Sequence, residues 1–256
     1  MGMTKKVCFA GRVGVDNYVH DSVADMCARK NMHDTQGILF VVATPIGNLG
    51  DISKRAVETL GSVDMICAED TRVTAKLLAA NSIRVTLMSL HEHSDDRALQ
   101  RVIDTLLTGK NVAMVTDAGT PGIADPGGKL VAHAVREGIR VVPIPGVSAV
   151  ATALSVCGFP ADQFFFAGFP PTKKGRQTFF ADIALREETI ALYESTHRIQ
   201  KTLAELPSNR LMTVCRELTK LHETIYRGFA PEVIAELATT SSKGEFVIVL
   251  APKKWK

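Results

Sequence analysis

From residue 37 onward, apolar and polar positions fall into regular blocks. Residues 38–43 form a continuous apolar run, the pattern of a strand covered on both faces. Asp51 stands where it would cap a helix over 52–60, with Gly61 as its stop. A second apolar run at 64–68 precedes a helical stretch at 73–80, and a third strand is predicted at 85–89. Ser94 is placed to cap the next helix; its first turn carries Asp95 and Asp96, where the positive end of the helix dipole favours them, and Gly109 ends it. Strands at 112–116 and 140–144 and helices at 128–137 and 147–156 follow. Strand–helix alternation with short connections predicts a mostly parallel, doubly wound sheet.

The segment 157–162 stacks turn formers after a long apolar element and reads as a joint. Beyond it, strands are predicted at 164–167, 189–193, 211–216, 224–226 and 246–250. Helices fit 198–206 and 231–238, where Pro231 suits a first helical position. The expected fold is therefore α/β, in two α/β lobes at 37–157 and 158–256. Residues 1–36 lack the periodicity needed to bury a face and are expected to form a weakly packed extension.

Composition narrows the class. With 46% hydrophobic and 22% charged residues, the 256-residue chain is neither a disordered tail nor a coiled coil. Its five cysteines are scattered, odd in number and form no C-x-x-C pair, which favours a reducing, cytoplasmic setting. The net charge of +3, from 30 cations against 27 anions, permits a nucleic-acid partner without requiring one. The uncharged stretch 141–161 is long enough to cross a bilayer. However, Pro143, Pro145 and Gly146 break its start and Gly158 and Pro160 close it, so it reads as a buried helix and no membrane association is expected.

In an open parallel sheet, ligands bind beyond the carboxyl ends of the strands. Four such loops here are rich in Gly, Pro, Asp and Thr: 44–51, 69–72, 117–127 and 145–149. Ordinary turns favour the same residues, but four together at one sheet edge point to a binding site whose glycines let backbone approach a ligand. No G-x-G-x-x-G follows a strand and no P-loop is present, so nucleoside triphosphate chemistry is not indicated. His91-Glu92-His93 offers two metal ligands without a third and reads as a solvated loop. Lys173-Lys174-Gly175-Arg176, after Pro170-Pro171, reads as a mobile basic loop able to meet phosphates.

Together, TPIGNLGDIS (44–53), AEDTR (68–72), TDAGTPGIADPG (116–127), VVPIPGVSAVATALSVCGFP (141–160), FAGFPP (166–171), LYESTHR (192–198), RELTKLHETI (216–225) and KGEFVIVL (243–250) resemble the class III, tetrapyrrole-methylase-type S-adenosylmethionine methyltransferases. Within that family they are most similar to the branch that 2′-O-methylates a cytidine in the decoding centre of small-subunit ribosomal RNA. The segments stand in family order. The resemblance implies two α/β lobes with the methyl donor, S-adenosylmethionine, folded into the cleft between them. It also implies a homodimer, and small-subunit ribosomal RNA or the 30S particle as partner. It places donor binding on Pro45, Ala118, Gly119, Thr120, Ile123, Ser148 and Ala149, with Glu194 at a strand end beside the donor. Residues 1–36 have no counterpart in it, which makes Met32 an expected start. The family's usual small helical C-terminal region is expected to be absent here.

Methyl transfer to a ribose hydroxyl is an in-line displacement on a poor nucleophile, so positioning and a proton acceptor both help. No metal is needed for this chemistry. Asp70 and Glu194 are the expected acid/base or orienting groups. Arg72 and Arg198, with Lys173, Lys174 and Arg176, are expected to meet RNA phosphate. Structural roles are available too: Asp70 could cap the following helix, and Glu194 could pair with Arg198. A small-molecule tetrapyrrole-type methylase and a catalytically idle RNA-binding assembly factor are the competing readings.

Overall fold

The computed structural model describes residues 35–91 and 94–255. The expected extension at 1–36 and the His91-Glu92-His93 pair lie wholly or largely outside them. Two five-stranded sheets organise the rest. The first contains β1 (Ile38–Val42), β2 (Met65–Ala68), β3 (Thr86–Ser89), β4 (Val112–Val115) and β5 (Arg140–Ile144), in the order β3-β2-β4-β1-β5. All its pairings are parallel, as the strand–helix alternation predicts. Alternate residues of β1 feed opposite layers. Ile38, Phe40 and Val42 pack beneath helices α1 (Lys54–Ser62) and α2 (Thr71–Ala80). Leu39 faces α3 (Asp96–Leu107) and α4 (Gly128–Arg136).

The second sheet contains β6 (Phe164–Phe166), β7 (Thr189–Ser195), β8 (Met212–Arg216), β9 (Thr224–Gly228) and β10 (Glu245–Leu250), in the order β6-β7-β10-β8-β9. Only β6–β7 is parallel. One face is covered by α6 (Arg176–Leu185), α7 (Ile199–Glu205) and α8 (Ala230–Thr239). The other is covered by α5 (Ala149–Cys157), whose Val150, Ala153 and Leu154 pack on Ala191, Cys215, Val247 and Val249. A helix that follows the last strand of the first sheet thus completes the core of the second. The two sheets share an apolar layer built around α5.

Three local expectations are corrected. Asp51 does not cap the first helix: it ends a short 3-10 turn at Leu49–Asp51, and the Ser53 hydroxyl caps α1 by accepting from Ala56 N, with Gly61 inside the helix. Asp95, not Ser94, caps α3; the Ser94 hydroxyl instead accepts from His91 N and closes the preceding turn. Finally, the basic segment ending in Arg176 leads directly into α6, which the apolar pattern left unassigned.

Candidate functional site

A cleft of about 260 Å³ opens between the two sheets. From the first sheet it receives Ile46, the loop after β4 with Ala118, Gly119, Thr120, Ile123 and Asp125, and Ser148 and Ala149 at the start of α5. From the second it receives Tyr193, Glu194 and Ser195 at the end of β7, Cys215, the turn residues Leu218 and Lys220, and the first residues of β10. Of the seven positions that the resemblance marks for donor binding, all but Pro45 line this cleft; the neighbouring Ile46 stands there instead.

Its first-sheet wall is knitted from three loops. Thr44 and Gly119 exchange backbone bonds of 2.9 and 3.0 Å, forming an isolated bridge. The Thr44 hydroxyl donates to Thr116 O, and the Thr120 hydroxyl donates to Val147 O. Gly119 sits at φ +85°, where a side chain is strained whatever the space. Ser148 precedes α5 and its carbonyl accepts from Thr152, but its hydroxyl makes no cap bond and so does not satisfy the first-turn N–H groups. The opposite wall is aromatic and charged. Tyr193 packs edge-on against Phe166 at 4.9 Å and tilted against Phe169 at 5.4 Å. Lys220 bridges Glu217 and Glu245 at 2.9 and 2.8 Å. Burial alone would lower its ammonium, but the bonds to Glu245 and Glu217 outweigh that and raise it. The turn that carries Lys220 holds two non-glycine residues, Glu217 and Thr219, at positive φ, backbone strain of the kind that concentrates at functional sites.

Glu194 lines the cleft, yet its side chain is 0% exposed. Its carboxylate accepts from Ser195 N at 2.7 Å and from the Thr202 hydroxyl at 2.5 Å, and pairs with Arg198 at 2.8 Å. Thr202 in turn accepts from Arg176, which pairs with Glu205. The two arginines then donate to Pro170 O and Pro171 O, one each. This chain of charges, running from α7 to the loop after β6, sets the position of Phe169 and of the exposed Lys173 and Lys174 beyond it. Arg176 is 6% exposed, so the expectation of a mobile three-cation loop is corrected: Lys173 and Lys174 face solvent and Arg176 is an anchor. The reason is its five-donor fork, which satisfies three separate acceptors at once.

Asp70 and Arg72 lie outside the cleft lining. Asp70 caps α2 by accepting from Arg72 N at 2.8 Å, and the Arg72 guanidinium folds back onto it at 2.6 Å. Those bonds hold the Asp70 carboxyl down at about 2. Both structural roles that the sequence allowed, the cap and the Glu194–Arg198 pair, are therefore present.

Sequence reasoning missed Asp125. Its carboxyl is pushed up to about 6, first by burial and then by the charges of Glu69 and Asp117. Those two acids are themselves committed: the Glu69 carboxylate accepts from Asp117 N, and the Asp117 carboxylate from Asp70 N. In the sequence Asp125-Pro126-Gly127, at the end of the long third loop, reads as a plain turn and gives no local signal of this role. Among the described residues, no group of three or more His, Cys, Asp or Glu is arranged to hold a metal ion, and no helix is long and apolar enough to cross a membrane.

Comparison with known proteins adds to this geometry. Residues 39–234 match the family described as tetrapyrrole (corrin/porphyrin) methylases. Ribosomal RNA small subunit methyltransferase I of Synechocystis sp. is 48% identical over 220 residues, covering 84% of this chain and 79% of that protein. Its namesake from Halalkalibacterium halodurans is 44% identical, covering 85% and 76%. The one from Escherichia coli O157:H7 is 42% identical, covering 90% and 82%. Among solved structures, diphthine synthase superposes with a TM-score of 0.65 at 16% identity, over 84% of this chain and 90% of that one. Uroporphyrin-III-C-methyltransferase from Thermus thermophilus gives 0.61 at 18%, over 84% and 94%. At such identities the structural likeness speaks for the fold alone.

Proposed function

The chain belongs to the tetrapyrrole (corrin/porphyrin) methylase family, with ribosomal RNA small subunit methyltransferase I as its recurrent relative, and we propose that it is an S-adenosylmethionine-dependent methyltransferase of small-subunit ribosomal RNA, acting on the 2′-hydroxyl of a cytidine. One observation carries the reading furthest: six positions marked for donor binding by the sequence converge on a single cleft between the sheets.

The residues present suit such a donor. Ile46, Ile123, Leu218 and Val247 offer apolar surface to a purine. The N-terminus of α5, not capped by Ser148, offers free N–H groups to an amino-acid carboxylate. Tyr193 and Phe169 present ring faces of the sort that attract a positive centre. The donor supplies an electrophilic methyl group on a sulfonium; the chain's task is to orient it, exclude water and receive the acceptor's proton. Glu194, wholly engaged with Arg198, Ser195 and Thr202, serves this reading as a positioning residue. Exposed Lys173 and Lys174, and the outward Arg72, supply the contacts to RNA phosphate. On the same reading the protein works in the cytoplasm, where ribosomal subunits assemble, as the homodimer that the resemblance implies.

The direct test is calorimetric titration with S-adenosylmethionine, followed by methyl incorporation into small ribosomal subunits lacking the modification. A 2′-O-methyl group blocks alkaline cleavage at that nucleotide, because the hydroxyl that would attack the phosphate is gone, so mapping the resistant position identifies the acceptor. Donor binding without incorporation into the subunit, but with incorporation into a porphyrinoid, would replace this reading with the small-molecule one. Absence of donor binding would leave an idle RNA-binding factor.

Changing Lys173 and Lys174 together to Ala should weaken RNA binding for any sequence alike, since phosphate contacts position without reading bases. The salt dependence should become shallower by up to about one unit in log–log slope per lost contact. Arg176 stays in place in this variant because its removal would unpick the buried network. Donor affinity should not move; a fall in donor affinity that tracks the RNA loss would show the loop to be structural.

A further inference from the structure

A second cavity of about 430 Å³ lies beside the cleft, lined by Leu90, His91 and Ser94 after β3, by Leu99, and by residues 124–130 at the start of α4. One titratable residue belongs to both linings: Asp125. Its carboxylate has no hydrogen bond or ion pair among the described residues, unlike Glu194, whose two oxygens are both engaged. A half-buried carboxylate with no partner costs stability. A fold that keeps one on the wall between two cavities has a use for it there.

We propose that the second cavity takes the acceptor nucleotide and that Asp125 receives the proton of its ribose hydroxyl. The inference rests on the methyltransferase reading above. In the step, the ribose oxygen forms a bond to the methyl carbon while the carbon–sulfur bond breaks, and the sulfur leaves as a neutral thioether. The hydroxyl proton passes to a carboxylate oxygen of Asp125 and then to water, so charge and atoms balance without a further reactant. The mixed lining suits a nucleoside: Leu90 and Leu99 give apolar contact, and His91 and Lys129 give polar ends. Several groups set the basicity of Asp125. Glu69 and Asp117 on the loops after β2 and β4 raise it, and the Tyr193 hydroxyl faces it from β7. His91 and Lys129 stand across the second cavity, and Glu194, Lys220 and Glu245 across the cleft. A carboxyl at about 6 is ionised at neutral pH yet more basic than an ordinary aspartate, which is what a base needs.

The test uses the full chain, S-adenosylmethionine and unmodified small ribosomal subunits. Asp125→Asn should lower kcat by roughly 100-fold or more, the scale of a lost general base. Donor affinity should stay within threefold, and the low-pH limb of the wild-type kcat profile, near 6, should vanish from the residual rate. Asp125→Glu, which restores the carboxylate at a shifted position, should recover part of the rate and keep a limb. Gly128→Leu should raise KM for the subunit more than tenfold without touching donor affinity, since an added side chain there meets open space on the cavity wall. Activity of Asp125→Asn within threefold of wild type would overturn the proposal, as would a parallel loss of donor affinity. So would a Gly128→Leu variant with unchanged KM. A wild type that binds donor but never methylates the subunit would instead bring down the functional reading, and this inference with it.

Discussion

Glu194→Ala is expected to destabilise the fold by about 3 kcal/mol, the low end of what breaking a buried ion pair costs. The carboxylate is fully buried and takes bonds from Ser195 N, Thr202 and Arg198. Removing it leaves three donors facing a void. Arg198 is 24% exposed and can recover part of its hydration, which is why the upper end of the range is not reached. Thr202 cannot, because it is buried and already shared with Arg176. The loss should therefore spread to the carbonyls of Pro170 and Pro171 and loosen the loop that carries Phe169. A melting temperature lower by roughly 6–12 °C is the readout, at the 2–4 °C per kcal/mol usual for chains of this size. Glu194→Gln, which keeps the shape and one acceptor, should lose less. If Glu194→Ala melts within about 2 °C of wild type, the network is ornamental and the residue is free for chemistry.

Gly119→Val should abolish measurable donor binding, by at least 100-fold or about 2.7 kcal/mol. Two effects act together. At φ +85° a β-branched residue is strained, and the position is locked in that conformation by its paired bonds to Thr44. The side chain would also project into the cleft that Gly119 lines. Gly119→Ala separates the two. A Cβ there would sit 3.5 Å from Ile46 Cγ2, an ordinary contact, so alanine meets the backbone strain of about 1–2 kcal/mol with little loss of cleft space. Alanine should lower the melting temperature while costing less than tenfold in donor affinity; valine should lose binding outright. Titration of both variants with S-adenosylmethionine, alongside melting curves, decides it. Donor affinity of the valine variant within threefold of wild type would remove this loop from the donor site.

Much of the first sheet is written in local pattern. Parallel strands covered on both faces must be apolar throughout, so β1, β2 and β4 announce themselves as runs, and the loops at the carboxyl ends of the strands follow from the rule of open sheets. The donor-loop candidates were legible for the same reason, along with their glycines. Helix starts were less so: Asp51, Ser53, Ser94 and Asp95 are all good caps by chemistry, and only the exit angle of the chain selects among neighbours. Helix α6 escaped because its start is set from outside, by Arg176 bonding to α7 and to Pro171.

Side-chain roles needed the tertiary structure most. A sequence shows that Glu194, Arg198, Arg176 and Thr202 are polar; it does not show that they meet, since Arg176 and Thr202 lie 26 residues apart in the chain. Once they meet, burial turns residues suited to a surface into a bonded network, and an arginine expected to face RNA becomes an anchor. Asp125 moved the other way. As part of an Asp-Pro-Gly turn it carries no local signal, and its character comes from desolvation and from Glu69 and Asp117, brought beside it by parallel strand pairing. The sequence alone determined which segments are strands, where their loops gather and which family they resemble, because those depend on short-range periodicity and motif order. Only the folded structure decided which charged groups are consumed by one another and which stands unpaired between two cavities, because solvation and Coulomb interaction depend on distance in space rather than along the chain.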